Sequence, residues 1–380
     1  MSGPAWRLSW SNACVSCGTS RPGGAKRISA SILRDGFARA ENLMPVVDTG
    51  CGVRDTNSRQ FATGAAAATV RPMKAIVFDR MGSPDEVLEL RELPAPQIGR
   101  GEVLVRMVSA SINPGDSLFI QGLYPEPKKP VLPQQIAGNH GAGIVIEASE
   151  GVSIEPGTLV AFSYYNTWAE YAAVPAQWLI PLPSSYPLEK AGQLLNPITA
   201  WDLLDDSRVQ PGQWVAVTAA NSSVATMVTH FAQRRGVNVI PLGRQTPGDP
   251  SLRKRIMDST EGQGLHAVID CVGGPLLRDL IECLVLGGQV VIYGGMSEER
   301  FALHNFDVLL NIVTLKPYLY RFFGRPPRLH DRDTLRQIID IFGRDDFRIP
   351  VGGAYPLEEF AKAIQPAKGK NYFVFPASSR

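Results

Sequence analysis

The sequence predicts an α/β protein, in which a β-rich domain is joined to a second domain built on a doubly wound parallel sheet. Three observations carry this reading. Short apolar runs bounded by Pro and Gly fill residues 73 to about 190 with little helical periodicity. From Trp214 onward short apolar runs alternate with helical stretches, the pattern of a parallel sheet covered on both faces. The length of 380 residues suits two ordinary domains, and 44 % hydrophobic residues suffice for real cores. Composition also excludes some classes. No apolar run approaches the roughly 18–20 residues of a membrane span. A net charge of +2 gives no nucleic-acid surface, and five scattered cysteines make no disulfide framework.

The first 72 residues stand apart. They hold nine basic residues against four acidic ones, and three of the five cysteines. Cys14 and Cys17 form a lone C-x-x-C without a second pair or a His cluster, so zinc is not expected there. An Arg- and Ser-rich, acid-poor start fits an organelle transit peptide, and Arg59-Gln60-Phe61-Ala62-Thr63 resembles a mitochondrial processing site. Its length, its four acids and the lack of a clear amphipathic helix favour an upstream extension, with Met73 as the working start. The expected location is therefore cytoplasmic. The mitochondrial matrix is the alternative, if residues 1–61 are a transit peptide.

From Met73, strands are expected at 74–78, 88–93, 102–108, 143–148 and 159–162, giving a sandwich or barrel. The second pattern gives strands at 214–218, 237–240, 267–270 and 289–293, with helices at 222–235, 252–259 and 275–286. A last helix at 357–364 and a strand at 372–375 return to the first domain. The expected domains are 73–195 with 345–380, and 196–344. Only 24 residues separate Leu242 from Ala267. A helix, a strand, a second helix and their loops need about 40. One helix–strand unit is therefore expected to be shortened or missing, which leaves an edge strand uncovered.

The strand ends of this second domain suggest a dinucleotide. The first strand runs through Ala219-Ala220-Asn221-Ser222-Ser223-Val224-Ala225 into a helix, whose N-terminus offers free N–H groups and a positive dipole end. This turn is not G-x-G-x-x-G, and no glycine supplies a positive φ. Cys271-Val272-Gly273-Gly274 and Tyr293-Gly294-Gly295-Met296 place glycines at two more strand ends, where ligands cross an open α/β sheet. The second strand ends in Leu242-Gly243-Arg244-Gln245, with a guanidinium and no acid. A carboxylate would hold the ribose 2′-OH of NAD, whereas Arg grips a 2′-phosphate, so NADPH is the expected cofactor. Residues 73–195 contain no cysteine, so a Cys-ligated zinc of the alcohol-dehydrogenase kind cannot be built there.

Taken in order, Ile112-Asn113-Pro114-Gly115-Asp116, Gln121-Gly122-Leu123-Tyr124, Gly138-Asn139-His140-Gly141, Thr167-Trp168-Ala169-Glu170-Tyr171, Asn196-Pro197-Ile198-Thr199-Ala200 and Tyr293–Met296 give residues 73–380 a family resemblance. The sequence resembles the zinc-free medium-chain dehydrogenase/reductase superfamily, and within it the mitochondrial-type 2-enoyl thioester reductases more than plain quinone reductases. The resemblance implies a GroES-like catalytic domain, a Rossmann-type NADPH domain and a homodimer. It implies NADPH-dependent reduction of an activated double bond, in a trans-2-enoyl thioester (acyl-CoA or acyl-carrier-protein) of fatty-acid metabolism. The alternatives are a quinone or enone substrate, or a non-catalytic NADPH-binding or structural member. Tyr124 stands where the family has its proton donor, and a phenol keeps its proton at pH 7.

The same resemblance places Asn196 and Thr199 on the nicotinamide and Asn221, Ser222, Ser223 and Val224 on the pyrophosphate. It puts Tyr293, Gly294, Gly295 and Met296, the segment 318–321, and Lys370 beside the cofactor. Asp116 is expected to cap a short helix, Asn113 to fix the loop, and His140 to be packed. Lys128, Lys129 or Arg325 could meet substrate phosphates. Ser223 and Ala225 replace glycines usual in the family, and Leu319 replaces an aromatic.

Overall fold

The computed structural model describes residues 72–124, 129–367 and 369–376. The expected leader, residues 1–72, lies outside this range apart from Pro72, which opens the first strand. Alternation of apolar residues with Pro and Gly breaks produces eight strands in the first part. They are β1 (Pro72–Phe78), β2 (Glu89–Pro94), β3 (Glu102–Ser111), β4 (Gln135–Ile136), β5 (His140–Ala148), β6 (Leu159–Ser163), β7 (Tyr171–Pro175) and β8 (Leu179–Pro181). β1 pairs antiparallel with β2 and β4 in a small sheet. β3 organises the larger sheet. Its inward residues Val103, Val105 and Met107 are fully buried, and it pairs along its length with β5. Along its other side, Glu102–Arg106 pair with β7.

The parallel sheet holds β9 (Trp214–Thr218), β10 (Asn238–Leu242), β11 (Leu265–Asp270), β12 (Leu284–Ile292) and β13 (Thr314–Pro317), in the order β10-β9-β11-β12-β13. Successive residues of β9 serve opposite faces. Val215 and Val217 join the core with Val228 and Phe231 of the helix Ser223–Arg234, and Ala216 joins the core with Leu252, Ile256 and Leu277. This is the doubly wound arrangement. In the usual order 3-2-1-4-5-6 the five strands correspond to 2-1-4-5-6. Among the described residues no strand flanks β10 on its outer side, and only the helix Pro250–Ser259 separates β10 from β11. The deficit of residues thus appears as an open edge, and Pro241 on that edge lacks an N–H to offer a further strand.

One expected helix is shorter than its periodicity suggested. It runs only from Leu276 to Ile281, and Leu284 already pairs with Leu265 as the start of β12. A short buried apolar run reads alike as helix or strand, and pairing decided this one. After the helix Arg332–Gly343 the chain returns to the first part as β14 (Val351–Tyr355) and β15 (Lys370–Val374). Tyr372–Val374 of β15 pair with Ser109–Ser111 of β3. That pairing brings Lys370 beside the loop that follows β3. The helix Leu195–Ser207 ties both parts into one core, with Ile198 and Leu203 packed among Ala142, Leu159 and Val215. Among the described residues no helix is long and apolar enough to cross a membrane.

Candidate active site

β3 leads through Ile112 and Asn113 to Pro114, and Pro at the first helical position starts the helix Pro114–Ile120. Asp116, in its first turn, is 1 % exposed. Its carboxylate accepts the N–H of Asn113 at 2.7 Å, and both the N–H and Nδ2 of Asn139 at 3.0 Å. The N-cap is Asn113, three residues before the expected one; Asp116 lies inside the helix, closes the capping box from there, and takes a second partner from the loop before β5. Asn113 in turn donates to Ser111 Oγ at 2.9 Å and accepts from the Lys370 ammonium. Burial raises the Asp116 carboxyl above the ordinary range, while the Asn113 and Asn139 donors and Lys370 oppose the rise.

Tyr124 lies past the end of this helix. Its hydroxyl packs directly on Gly115, where any Cβ would collide with it. Its ring meets Phe323 edge-on, with centroids 5.4 Å apart. Phe323 belongs to the segment after β13, so the phenol stands between the two parts of the molecule. Among the described residues its hydroxyl has no hydrogen-bond partner. Burial, then the Asp116 charge, push it well above the usual phenol range. It is a protonated donor without an acceptor.

The opposite wall is built on strand ends. Ser222 caps the helix Ser223–Arg234 by accepting the Ala225 N–H at 3.2 Å. Ala219 takes the positive φ that a glycine would normally supply. Asp270 closes the end of β11. It accepts from Thr218 Oγ1 at 2.7 Å and from the N–H groups of Val272 and Gly273. The Tyr293 hydroxyl bonds with Ser222 and the Cys271 thiol, which joins the end of β12 to the turn after β9. Gly294 fits because a Cβ would lie 2.8 Å from the Cys271 carbonyl. Beside it opens a cleft of about 330 Å³ lined by Val272, Gly273, Gly274, Gly295 and Arg300.

A clamp shapes the third side. Asp202, on the helix Leu195–Ser207, binds the Arg321 guanidinium through both carboxylate oxygens and accepts from Tyr318 Oη at 3.1 Å. Arg325 and the Arg328 N–H fill Asp331 at 2.9 and 2.8 Å. Burial raises the Asp202 carboxyl, against Arg321, which lowers it. The pair fixes the segment that carries Phe323.

The structure brings Asn221, Ser222, Ser223, Val224 and Tyr293–Met296 to one end of the parallel sheet, with Arg244 at the end of β10. Arg244 is exposed and has no partner among the described residues. Asn196 is 3 % exposed and its buried Nδ2 has no partner among the described residues, while Thr199 bonds with Tyr318. Lys370 joins Asn113 and Asp116 on the Tyr124 side. Arg325 is held by Asp331 and Lys129 by the Tyr124 carbonyl at 2.6 Å, so neither is a free phosphate ligand. Lys128 lies outside the described residues. His140 is buried, its ring edge-on to Tyr320. Sequence reasoning missed Asp202 and Phe323, which reach the site only through contacts distant in sequence.

A phenol set between a β-rich unit and the carboxyl ends of a parallel sheet is the layout of a two-domain dehydrogenase or reductase. Family models agree: the alcohol dehydrogenase GroES-like domain matches residues 99–184, and a family described as zinc-binding dehydrogenase matches 246–370. The mitochondrial enoyl-acyl-carrier-protein reductase of Mus musculus is 31 % identical over 339 residues, covering 81 % of this chain and 89 % of its own. Its Bos taurus counterpart is 28 % identical over 344 residues, covering 82 % and 90 %. A solved mycobacterial protein complexed with NADPH is 25 % identical with TM-score 0.69, covering 80 % of this chain and 99 % of its own. The Etr1p/NADP/crotonyl-CoA complex, 20 % identical, shares the fold with TM-score 0.72 and the same 80 % of this chain, covering 100 % of its own. The chain belongs to the zinc-free medium-chain dehydrogenase/reductase superfamily.

Proposed function

We propose that this protein is an NADPH-dependent reductase of trans-2-enoyl thioesters in fatty-acid metabolism. One observation carries the reading: the protonated Tyr124 phenol, unpartnered among the described residues, rests on Gly115 and meets Phe323 of the segment after β13. The relatives' names agree with it. The residues fit NADPH. The buried Asn196 Nδ2 lacks a partner, the helix Ser223–Arg234 offers its N-terminus, and Arg244 is an uncommitted cation. When bound, the nicotinamide supplies hydride for the β-carbon of the conjugated thioester. Tyr124 gives its proton to the α-carbon, where the reduction leaves negative charge. Gly115 and Phe323 hold the phenol in place, and the Asp202–Arg321 pair holds Phe323. The Ser222 hydroxyl takes the Ala225 N–H and leaves the other N–H groups of that turn for phosphate.

The test is NADPH oxidation with a panel of crotonyl thioester, quinones and enones. Crotonyl thioester is expected to turn over fastest. Faster turnover of a quinone would place the enzyme with the quinone reductases, and no turnover of any substrate would make it a non-catalytic member. Arg244→Ala tests cofactor choice. Loss of a charge-assisted phosphate contact of about 1.5–3 kcal/mol should raise the NADPH KM roughly tenfold or more and leave NADH unchanged. Equal effects on both cofactors would remove Arg244 from the 2′-phosphate. A homodimer is supported by exposed Phe306, Leu309, Leu310 and Ile312 around the β13 edge, and sedimentation tests it. The matrix location is supported by the relatives' names and the net basic charge of segment 1–61, and import of a reporter carrying that segment tests it.

A further inference from the structure

Lys370 stands with the proton donor and not with the phosphate-binding turn. Its ammonium is anchored on Asn113 Oδ1, and its charge acts on the buried Asp116 carboxylate. All three hydrogen-bond partners of that carboxyl are N–H donors, which with Lys370 favour its ionised form against the burial that raises it. The same Asp116 charge acts on Tyr124, whose hydroxyl lies on Gly115 one residue away.

We propose that Lys370 is a positioning residue for proton donation: anchored on Asn113, its ammonium balances the Asp116 carboxylate and lets Tyr124 release its proton. The proposal rests on the reading of Tyr124 as the donor. In that step the O–H bond of Tyr124 breaks, a C–H bond forms at the α-carbon, and the electron pair stays on the phenolate oxygen. Solvent later restores the phenol proton, and Lys370 keeps its own throughout. A phenolate beside a second buried anion would be strongly disfavoured without a cation in the same group. Lys370 supplies that cation. It also fixes Asn113, and so the loop bearing Gly115, on which the hydroxyl rests.

Burial lowers Lys370 to about 8, against the Asp116 charge that raises it. The ammonium is therefore present below that pH and lost above it. The charged group facing Lys370 is Asp116 from the helix after β3. Tyr355 of β14 acts on Lys362, Tyr372 of β15 responds to Glu189, and Lys129 reaches Tyr124 only through its carbonyl.

The experiment is the pH profile of kcat for crotonyl-thioester reduction at saturating NADPH. The unmodified enzyme should lose activity above about pH 8. Lys370→Arg keeps the charge and should move that fall upward by a pH unit or more. Lys370→Met should lower kcat at pH 7 by about tenfold or more, less than the roughly 10²-fold of a group that itself gives the proton, with NADPH KM nearly unchanged. An unmoved fall in Lys370→Arg would overturn the proposal. So would Lys370→Met with normal kcat, or with a raised NADPH KM alone, which would make the residue a cofactor contact. If Lys370→Met does not fold, the Lys370→Arg profile decides. Tyr124→Phe in the same series keeps the two readings apart, since full activity there removes the donor assignment whatever Lys370 does.

Discussion

Tyr124→Phe is expected to lower kcat for enoyl-thioester reduction by about 10²–10⁴-fold, the usual worth of a positioned proton donor. The change removes one oxygen and keeps the ring, so the edge-on contact with Phe323 survives and the fold is undisturbed. The hydroxyl has no hydrogen bond to lose among the described residues, so stability should stay within about 0.5 kcal/mol, as for substitutions away from structural features. Substrate and NADPH KM should change little, because the lost interaction belongs to the transition state. Quinone reduction should fall far less, since a reduced quinone oxygen takes its proton from water. Steady-state kinetics on both substrates read the difference. Small, equal effects would sink the assignment.

Asp202→Ala is expected to have the largest effect on stability. Asp202 is 5 % exposed and binds Arg321 through both carboxylate oxygens, while Tyr318 donates to it as well. Removing one partner of such a pair leaves the other charge uncompensated, at a cost of about 3–5 kcal/mol. Asp331 recovers a little of this, because it accepts from Arg321 at 3.4 Å. Thermal unfolding should show the loss directly. The segment carrying Phe323 is tied down by this pair, so the surviving folded enzyme should also show a lower kcat. Asp202→Asn keeps the shape and a hydrogen bond, and should recover part of both losses. An unchanged melting temperature in Asp202→Ala would mean that the segment is fixed by its apolar packing alone.

The parallel sheet was readable because its strands are short apolar runs with glycines at their ends. Its missing strand was readable because loops and helices need a minimum number of residues. Asp116 was legible as part of a helix start, because Pro-Gly-Asp is a local signal, but the cap itself is Asn113 and Asp116 serves it from the third helical position. Other features depend on contacts that no local window contains. Lys370 and Asn113 are 257 residues apart, and Asp202 and Arg321 are 119 apart. Lys370 was expected beside the cofactor, and the pairing of β15 on β3 sets it on Asn113, on the Tyr124 side. Ala219 could not be foreseen in a positive φ, because an alanine carries no sign that the turn will force it there. The helix before β12 was drawn too long because apolar residues in a buried strand repeat no differently over so short a stretch.

The most direct measurement follows the hydrogen atoms. NADPH carrying deuterium at the transferred position of its nicotinamide is incubated with the enzyme and crotonyl thioester in ordinary water, and the saturated product is examined by NMR. The chemistry assigned to Tyr124 predicts deuterium at the β-carbon and a hydrogen from water at the α-carbon, with α-carbon protonation slowed in Tyr124→Phe. Saturated product without deuterium, or labelled cofactor bound but never consumed, would contradict it.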